Sequence, residues 1–208
     1  MVPPINTPVP PPPHQPQVAV VSPLYCSPNA ADLAIVSKSS FTSKTTFVVT
    51  DPSDNILFKV KGPGWTWHYH VSLLDAADNP ILNLKPTRTC LPSRWNAYRG
   101  ESSDEKDLLF TVKLKSVFKS SKLDVFLVNN VGKDRPDFRV EMNWRRTSCV
   151  IYAGDSNSVV AQMREKYGFF KFKYMVTVHP NVDAAFITAI IVILDEIYSS
   201  SSSNSSSS

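Results

Sequence analysis

The stretch AAFITAIIVIL, residues 184–194, decides the fold of this chain. As a helix it is apolar on every side except at Thr188, and Asn181 or Asp183 can cap its start. A membrane span needs about 20 apolar residues, whereas this run is shorter and has acidic residues on both sides. Because an all-round apolar helix must be surrounded by other structure, the stretch predicts a helix buried inside a domain.

The chain before this helix has the pattern of an all-β domain. Short apolar segments recur about every ten to fifteen residues and are separated by turn-forming residues. In residues 108–115, for example, Phe110, Val112 and Leu114 alternate with polar residues, so one face of the strand is expected to be buried and the other exposed to solvent. We count about twelve such strands, the last at residues 170–178. Strands with one apolar face, together with a helix that is apolar all round, predict a mainly β fold. We expect a closed barrel with the C-terminal helix in its lumen.

Low-complexity segments flank this domain. Ten of the 17 prolines precede Asn29, and nine of the last ten residues are serine. Neither composition can build a packed core. We therefore predict a disordered proline-rich arm over residues 1–22, one barrel domain over 23–198 and a disordered serine-rich tail over 199–208.

The cysteines and the N-terminus indicate an intracellular protein. Three cysteines cannot all pair, and no Cys-x-x-Cys spacing occurs, which favours a reducing compartment. No basic residue precedes Lys38 and no apolar run of signal-peptide type is present. We expect a monomer in the cytoplasm, with access to the plasma membrane surface or the nucleus, that is peripheral rather than transmembrane.

Several stretches of the chain resemble a known family in their order and spacing. They are residues 25–28, 55–61, 107–113, 122–127, 137–140, 148–155, 160–163 and 180–195. The chain resembles the plant LURP-one-related family, which shares the Tubby-like fold with Tubby proteins and phospholipid scramblases. The resemblance implies a twelve-stranded barrel around a central C-terminal helix. It also implies a family-level link to defence against pathogens and kinship with membrane-tethered transcription factors, but it carries over no catalytic residue.

Basic residues are concentrated in the second half of the chain. Residues 32–107 hold nine cations and nine anions, whereas residues 108–182 hold thirteen cations and six anions. Some cations occupy the polar face of a predicted strand, so on a closed barrel they point outward. These candidates for binding lipid phosphates are Lys59, Lys61, Lys113, Lys115, Arg139, Lys171 and Lys173. Each is worth about 1 kcal/mol near an anionic surface, and the alternative is an ordinary solubilising surface.

The sequence contains no motif of an enzyme. It has no Gly-x-Ser-x-Gly elbow, His-Glu-x-x-His pair, phosphate loop or dinucleotide fingerprint. We therefore predict no catalytic residue, no cofactor and no small-molecule substrate. His68 and His70 share a strand face, but zinc would need two more ligands and none stands at a recognisable spacing, so we predict no metal site. Residues 51–55 resemble an ion-binding loop only in part, since its glycine and final glutamate are missing, and a plain turn is expected.

The leading functional hypothesis is a non-enzymatic protein that binds anionic phospholipid headgroups peripherally. One alternative is a nucleic-acid-associated transcription regulator. A nucleic-acid partner is not expected, because the basic excess is mild and the single helix is needed for the core. The other alternative is a scramblase-like lipid transporter, which would require the helix to cross a bilayer despite its short apolar run.

Overall fold

The computed structural model describes residues 17–37, 45–62, 69–87, 94–116, 122–130, 132, 134–143, 145, 147–165 and 172–203. These residues form twelve strands and one α-helix. In chain order they are β1 (Ala31–Ser37), β2 (Thr45–Thr50), β3 (Ile56–Lys61), β4 (Val71–Asp75), β5 (Pro80–Thr87), β6 (Arg94–Arg99), β7 (Leu108–Ser116), β8 (Lys122–Leu127), β9 (Phe138–Met142), β10 (Ser148–Ala153), β11 (Val159–Glu165), β12 (Phe172–Val178) and α1 (Ala184–Ser203).

The twelve strands close into an antiparallel barrel. Each strand pairs with the next one in the chain, and β1 pairs with β12 to complete the ring. Alternation of side chains sorts each strand into an inner and an outer face. In β9, Phe138, Val140 and Met142 are buried, whereas Arg139 and Glu141 are partly exposed. The predicted mainly β barrel of about twelve strands is thus confirmed.

The helix α1 fills the lumen of the barrel. Every residue from position 185 to position 194 is at most 2% exposed. The Phe186 ring contacts Phe110 of β7 and Phe138 of β9, with ring centroids 5.1 Å and 4.9 Å apart. A barrel of twelve strands is too wide for its inward side chains to fill alone. The helix therefore supplies the centre of the core, as its all-round apolar sequence predicts.

The buried carboxylate of Asp183 caps the start of α1. Its Oδ1 accepts hydrogen bonds from the backbone N–H groups of Ala185 and Phe186, each at 3.0 Å. Of the two predicted caps, Asp183 therefore takes the role and Asn181 does not. Burial raises the pKa of Asp183, and backbone N–H donors oppose that shift.

The same carboxylate fastens an N-terminal segment, residues 17–26, which we call the strap. Asp183 Oδ2 accepts hydrogen bonds from the backbone N–H groups of Val21 at 2.7 Å and Ser22 at 3.0 Å. The backbone N–H of Asp183 donates to the Val18 carbonyl oxygen at 3.1 Å. The strap therefore covers the end of the barrel at which α1 begins.

The folded part of the chain extends further at both ends than the sequence predicts. Residues 17–22, predicted within the disordered arm 1–22, lie in the strap because their backbone groups find partners at the start of α1. Residues 1–16 lie outside the described residues. At the other end α1 continues to Ser203, into the predicted tail 199–208. Once formed, a helix gains a backbone hydrogen bond with each added residue, so it need not end where its apolar side chains end. Within the described ranges, no helix is both long and apolar enough to span a membrane.

The barrel has two distinct ends because neighbouring strands run in opposite directions. Odd-numbered strands begin at the end where α1 begins, which we call the entry end. Even-numbered strands begin at the opposite end, which we call the exit end. Near the exit end Tyr174 donates a hydrogen bond to Asp195 at 2.7 Å, and Tyr69 donates one to Glu196. Burial, followed by these bonds to carboxylates, raises the pKa of both tyrosines and keeps them neutral donors.

Two turns at the entry end share one hydrogen-bond pattern. Asp51 Oδ1 accepts from the backbone N–H groups of Ser53 at 2.8 Å and Asn55 at 2.9 Å, and its Oδ2 accepts from the Asn55 amide at 2.8 Å. Asp75 repeats this pattern in the turn before β5, where Asn79 takes the place of Asn55. These bonds, with the one from the Asp54 backbone N–H to the Asp51 carbonyl oxygen at 3.1 Å, close the turn that the sequence predicts at residues 51–55.

We expect the Asp75→Asn variant to melt at a lower temperature than the wild type near neutral pH. The Asn79 side-chain amide and backbone N–H groups lower the pKa of Asp75. An acid with a lowered folded-state pKa stabilises the fold above its unfolded pKa of about 3.9 and loses that contribution as the pH falls through the folded value. Melting temperatures measured across the acid range should therefore converge at low pH. Asn79→Ala, which removes the first donor, should behave alike, and a gap that stays constant with pH contradicts the prediction.

Candidate anion-binding surface

The structure describes the side chains of five of the seven predicted cations, and all five lie on the outside of the barrel. Lys59 and Lys61 are on β3, Lys113 and Lys115 on β7, and Arg139 on β9. In the ring of strands β3 is four strands away from β7 and six from β9. The predicted set is therefore not one site but three separate places on the wall.

The side chains of the two remaining predicted cations, Lys171 and Lys173, are not among those that the structure describes. Lys171 lies outside the described residues. Lys173 is the second residue of β12, and only its backbone is described. Their part in anion binding stays a prediction.

On β3 the two lysines share a carboxylate of the protein itself. Lys59 Nζ lies 2.6 Å from Asp78 Oδ2, and Lys61 Nζ lies 3.4 Å from Asp78 Oδ1. The hydrogen bond from Lys59 lowers the pKa of Asp78, so the carboxylate stays ionised. Exposed ion pairs of this kind add little stability. They do offset much of the positive charge here, which makes β3 the weaker candidate for an external anion.

Arg139 stabilises a turn on the outer wall of the barrel. Its Nε donates to the carbonyl oxygen of Gly154 at 2.9 Å and its Nη2 to that of Ser156 at 3.0 Å. The guanidinium stacks on the Tyr152 ring at 5.3 Å and lies 3.3 Å from Glu141. With its donors engaged in this way, Arg139 fastens the turn between β10 and β11.

The outer face of β6 and β7 brings two cations together, and Asp124 of β8 lies opposite Lys113 on its other side. Arg94, the first residue of β6, lies directly opposite Lys113 of β7 in the register of the two strands. The Lys113 ammonium lies 4.3 Å from the centre of the Phe126 ring on β8. Like charges directly opposite across a sheet destabilise it. An anion bound between Arg94 and Lys113 would offset that repulsion.

A small groove opens beside this pair. It has a volume of about 120 Å³, and Arg94, Thr111, Lys113, Phe126, Leu127 and Val128 contribute to its lining. That volume corresponds to about four water molecules in the liquid. One side of the groove is cationic and the other is apolar, because Val128 is 48% exposed at its edge. The groove suits a single small anionic group attached to an apolar body.

Further cations surround the groove on the same face. Lys115 of β7 lies 3.2 Å from Asp124, and Lys122 of β8 lies 2.9 Å from Glu141. The Lys115 and Lys122 side chains are 64% and 46% exposed, so solvent screens both pairs. Asp124 and Glu141 offset part of the positive charge on this face, as Asp78 does on β3, but four cations with two carboxylates leave an excess of positive charge. We call Arg94, Lys113, Lys115 and Lys122 the basic face.

Sequence reasoning missed Arg94 and Lys122 on this face. Both are the first residues of their strands, where alternation is hardest to assign. The signal was present in β6, since buried Trp95 and Ala97 alternate with Asn96 and place Arg94 on the outer side. Continuing that alternation from Trp95 by one residue toward the N-terminus would have found Arg94.

The acidic, histidine and cysteine side chains that the structure describes do not form a metal-binding group. Cys149 of β10 faces the core, and burial raises the pKa of its thiol to about 12, so it stays protonated at neutral pH. His70 is half-buried, and His68, its predicted partner, lies outside the described residues. Among the described residues no three His, Cys, Asp or Glu side chains are grouped as a metal ion would require.

Known proteins resemble this chain along most of its length. The model of the LURP-one-related family matches residues 31–195. The chain is 44% identical to Protein LURP-one-related 15 of Arabidopsis thaliana over 184 residues, which cover 86% of this chain and 85% of that protein. It is also 44% identical to Protein LURP1 of the same plant over 190 residues, which cover 88% of this chain and 91% of that protein.

A solved structure shows the same fold. The X-ray structure of a protein from Arabidopsis thaliana aligns with a TM-score of 0.70 at 44% sequence identity. The alignment covers 86% of this chain and 98% of that one. The family match begins at the first residue of β1 and ends inside α1, so it includes the whole barrel.

Proposed function

Because this chain belongs to the LURP-one-related family, we propose that it is a non-enzymatic member that binds anionic phospholipid headgroups reversibly at a membrane surface. Family membership accounts for the barrel fold, and the basic face provides the cations that would bind the headgroup. In this proposal the protein works in the cytoplasm with access to the plasma membrane or the nucleus. A role in plant defence is also part of the proposal and rests on the family resemblance alone.

The observation that carries the proposal is the facing pair of Arg94 and Lys113. The two cations lie in register across neighbouring strands and line one groove. A lipid phosphate placed there would contact both cations, and the exposed Val128 at the edge would meet the apolar part of the lipid. Hydrogen bonds from Lys and Arg to a phosphate are charge-assisted and therefore stronger than those between neutral groups.

The basic face also explains why binding should be reversible. Each Lys or Arg near an anionic surface contributes about 1 kcal/mol, and only a few cations lie on this face. Such binding depends on ionic strength, because the Debye length shrinks from about 30 Å at 0.01 M salt to about 8 Å at 0.15 M. The protein would therefore associate with strongly anionic membranes and leave weakly anionic ones.

We expect the wild-type protein to float with vesicles of equimolar phosphatidylcholine and phosphatidylserine at low salt, but not with vesicles of phosphatidylcholine alone. Lys113→Gln should weaken the binding about five-fold, the equivalent of about 1 kcal/mol. Lys59→Gln is the matched control, since Lys59 is already paired with Asp78, and it should change the binding less than about two-fold.

Absence of flotation at low salt, where the attraction is strongest, would overturn the proposal. A single-stranded oligonucleotide that binds while the vesicles do not would instead favour the nucleic-acid alternative. Equal weakening by Lys113→Gln and Lys59→Gln would remove the basic face from the site and leave only a general effect of net charge.

A further inference from the structure

All Ser-Pro and Thr-Pro dipeptides of this chain stand before Asn29. They are Thr7-Pro8, Ser22-Pro23 and Ser27-Pro28. Proline-directed protein kinases phosphorylate a serine or threonine that directly precedes a proline. Thr7 lies outside the described residues, whereas Ser22 belongs to the strap and Ser27 directly follows it. Both described candidates for such a kinase therefore lie beside the start of α1.

The residues around Ser22 have a conformation that a kinase can bind. The Ser22 backbone is extended, with φ −160° and ψ 142°, as is usual for a residue before proline. Ser22 itself is half-buried, but Pro23 is exposed and Leu24 is 90% exposed. The Ser22 hydroxyl oxygen accepts a hydrogen bond from the Leu24 backbone N–H at 3.3 Å. A phosphate oxygen is a stronger acceptor and can take over this bond.

The backbone of Ser22 lies directly against the buried carboxylate of Asp183. Its N–H donates to Asp183 Oδ2 at 3.0 Å, and the same oxygen accepts from the Val21 N–H at 2.7 Å. Asp183 is completely buried, and among the described residues no cation forms an ion pair with it. A phosphate on Ser22 would bring about 1.5–2 negative charges within the length of a serine side chain of this carboxylate. Because like charges repel, the phosphate opposes the contact that fastens the strap.

Arg99 of β6 is a cation that reaches the strap. Its Nη1 donates to the Val21 carbonyl oxygen at 3.3 Å. A hydrogen bond from arginine to a phosphate is charge-assisted and stronger than one to a carbonyl oxygen. If Arg99 turns to a phosphate on Ser22, it leaves the Val21 carbonyl, and the strap loses a second contact. The two charged neighbours of Ser22 therefore act in the same direction.

The rest of the strap is held by few contacts. The main chain of Val18 makes two hydrogen bonds to the segment before α1, at 2.8 Å and 3.1 Å, and the Tyr25 ring packs edge-on against Phe58. Val21 is the one strap residue that is fully buried. The ring of strands closes through β1 and β12 without the strap. Segments with few buried contacts open locally at a low free-energy cost, so the strap can leave while the barrel stays intact.

We propose that Ser22 is phosphorylated by a proline-directed protein kinase and that the phosphate releases the strap from the start of α1. In the transfer, Ser22 Oγ forms a bond to the γ-phosphorus of ATP, and the bond from that phosphorus to the bridging oxygen breaks, which leaves ADP. A base of the kinase takes the hydroxyl proton. Release of the strap uncovers Asp183 and the N-terminal end of α1. This modification is independent of the proposed lipid binding.

Phosphorylation of the full chain tests the site. The protein is incubated with ATP, Mg²⁺ and a mitogen-activated protein kinase, which is proline-directed, and mass spectrometry locates the phosphate. We expect phosphate on Ser22, and total incorporation should fall in Ser22→Ala but not in Ser27→Ala. In the phosphorylated wild type the Val21 and Ser22 amides should exchange about ten-fold faster or more, the equivalent of about 1.4 kcal/mol. The amides of β7 should keep their protection.

A matched pair of substitutions separates the charge at Ser22 from the shape of its side chain. Ser22→Glu adds a negative charge, and Ser22→Gln has nearly the same shape without it. The Val21 amide should exchange about five-fold faster in Ser22→Glu than in Ser22→Gln. Ser27→Glu controls for position, because the Ser27 hydroxyl oxygen accepts from the Asn29 N–H at 3.2 Å and makes no bond to Asp183. It should change the exchange less than about two-fold, since solvent screens its charge.

Each part of the inference can fail separately. If the kinase leaves Ser22 unmodified, whether or not it modifies Ser27, the site is wrong. If Ser22 carries phosphate but the Val21 amide exchanges no faster, Arg99 holds the phosphate and the strap in place, and the release is wrong. Equal exchange in Ser22→Glu and Ser22→Gln would contradict release by charge repulsion. No vesicle takes part in these measurements, so their outcome is distinct from that of the lipid-binding test.

Discussion

Replacing Ile190 by aspartate is expected to abolish folding. Ile190 lies at the middle of α1 and is completely buried. Its loss removes about 1.5–3 kcal/mol of apolar burial, and an ionised carboxylate without a partner in the lumen costs several kcal/mol more. Together these terms approach the whole stability of a typical domain, about 5–15 kcal/mol. The variant should be insoluble or should show no cooperative thermal transition by circular dichroism.

Two control variants separate the position from the chemistry. Leu24→Asp introduces the same charge at a residue that is 90% exposed, and it should change the stability by about 0.5 kcal/mol or less. Ile190→Val keeps the site apolar and should cost about 0.5–1.5 kcal/mol. A soluble Ile190→Asp protein that melts cooperatively near the wild-type temperature would show that α1 does not fill the barrel.

The second large effect is expected at the carboxylate that joins the helix to the strap. In Asp183→Ala, the backbone N–H groups of Val21, Ser22, Ala185 and Phe186 all lose their acceptor. A buried donor left without an acceptor costs about 1–3 kcal/mol, and release of the buried carboxylate from its desolvation penalty offsets part of the sum. We expect a net loss of about 3 kcal/mol, which lowers the melting temperature by roughly 6–12 °C in a chain of this size.

Hydrogen exchange can localise this effect. The amides of Val21 and Ser22 should lose protection in Asp183→Ala, because the strap is no longer held by the helix cap. Asp104→Ala is the matched control, since Asp104 precedes a short 3-10 turn at residues 105–107 and its side chain makes no capping hydrogen bond. It should stay within about 0.5 kcal/mol of the wild type. Unchanged stability and unchanged protection in Asp183→Ala would contradict the role given to this residue.

Much of the barrel could be predicted from the sequence because the spacing of apolar residues along the chain indicates which faces of the strands and of the helix are buried. Alternation in strands such as β7 assigns an inner and an outer face, and the helix after β12 is apolar all round. The failure lies in the strap. Val18 and Val21 join the domain through main-chain hydrogen bonds, and Val21 is also buried in the core, but the apolar stretch is too short to show the alternation that identifies a strand.

The candidate site was predicted less completely than the fold. Sequence alternation placed Lys59, Lys61 and Arg139 on the outer wall, but it could not supply their partners. Asp78 reaches Lys59 and Lys61 because a hairpin turn brings it beside β3. The backbone carbonyls that engage Arg139 come from a turn about fifteen residues away. Such pairings depend on which strands are neighbours in the ring, and a single strand does not carry that information.

The sequence by itself determined that an apolar helix must be enclosed, that the chain before it consists of strands with one apolar face, and that cations exceed anions. These properties can be assigned segment by segment, because they depend on the residue types and on their spacing along the chain. The tertiary structure decided which charges face each other, which carboxylate caps the helix and how the connections are divided between the two ends. Those outcomes arise from the direction and order of neighbouring strands, because only closure of the ring brings residues distant in sequence to a common end.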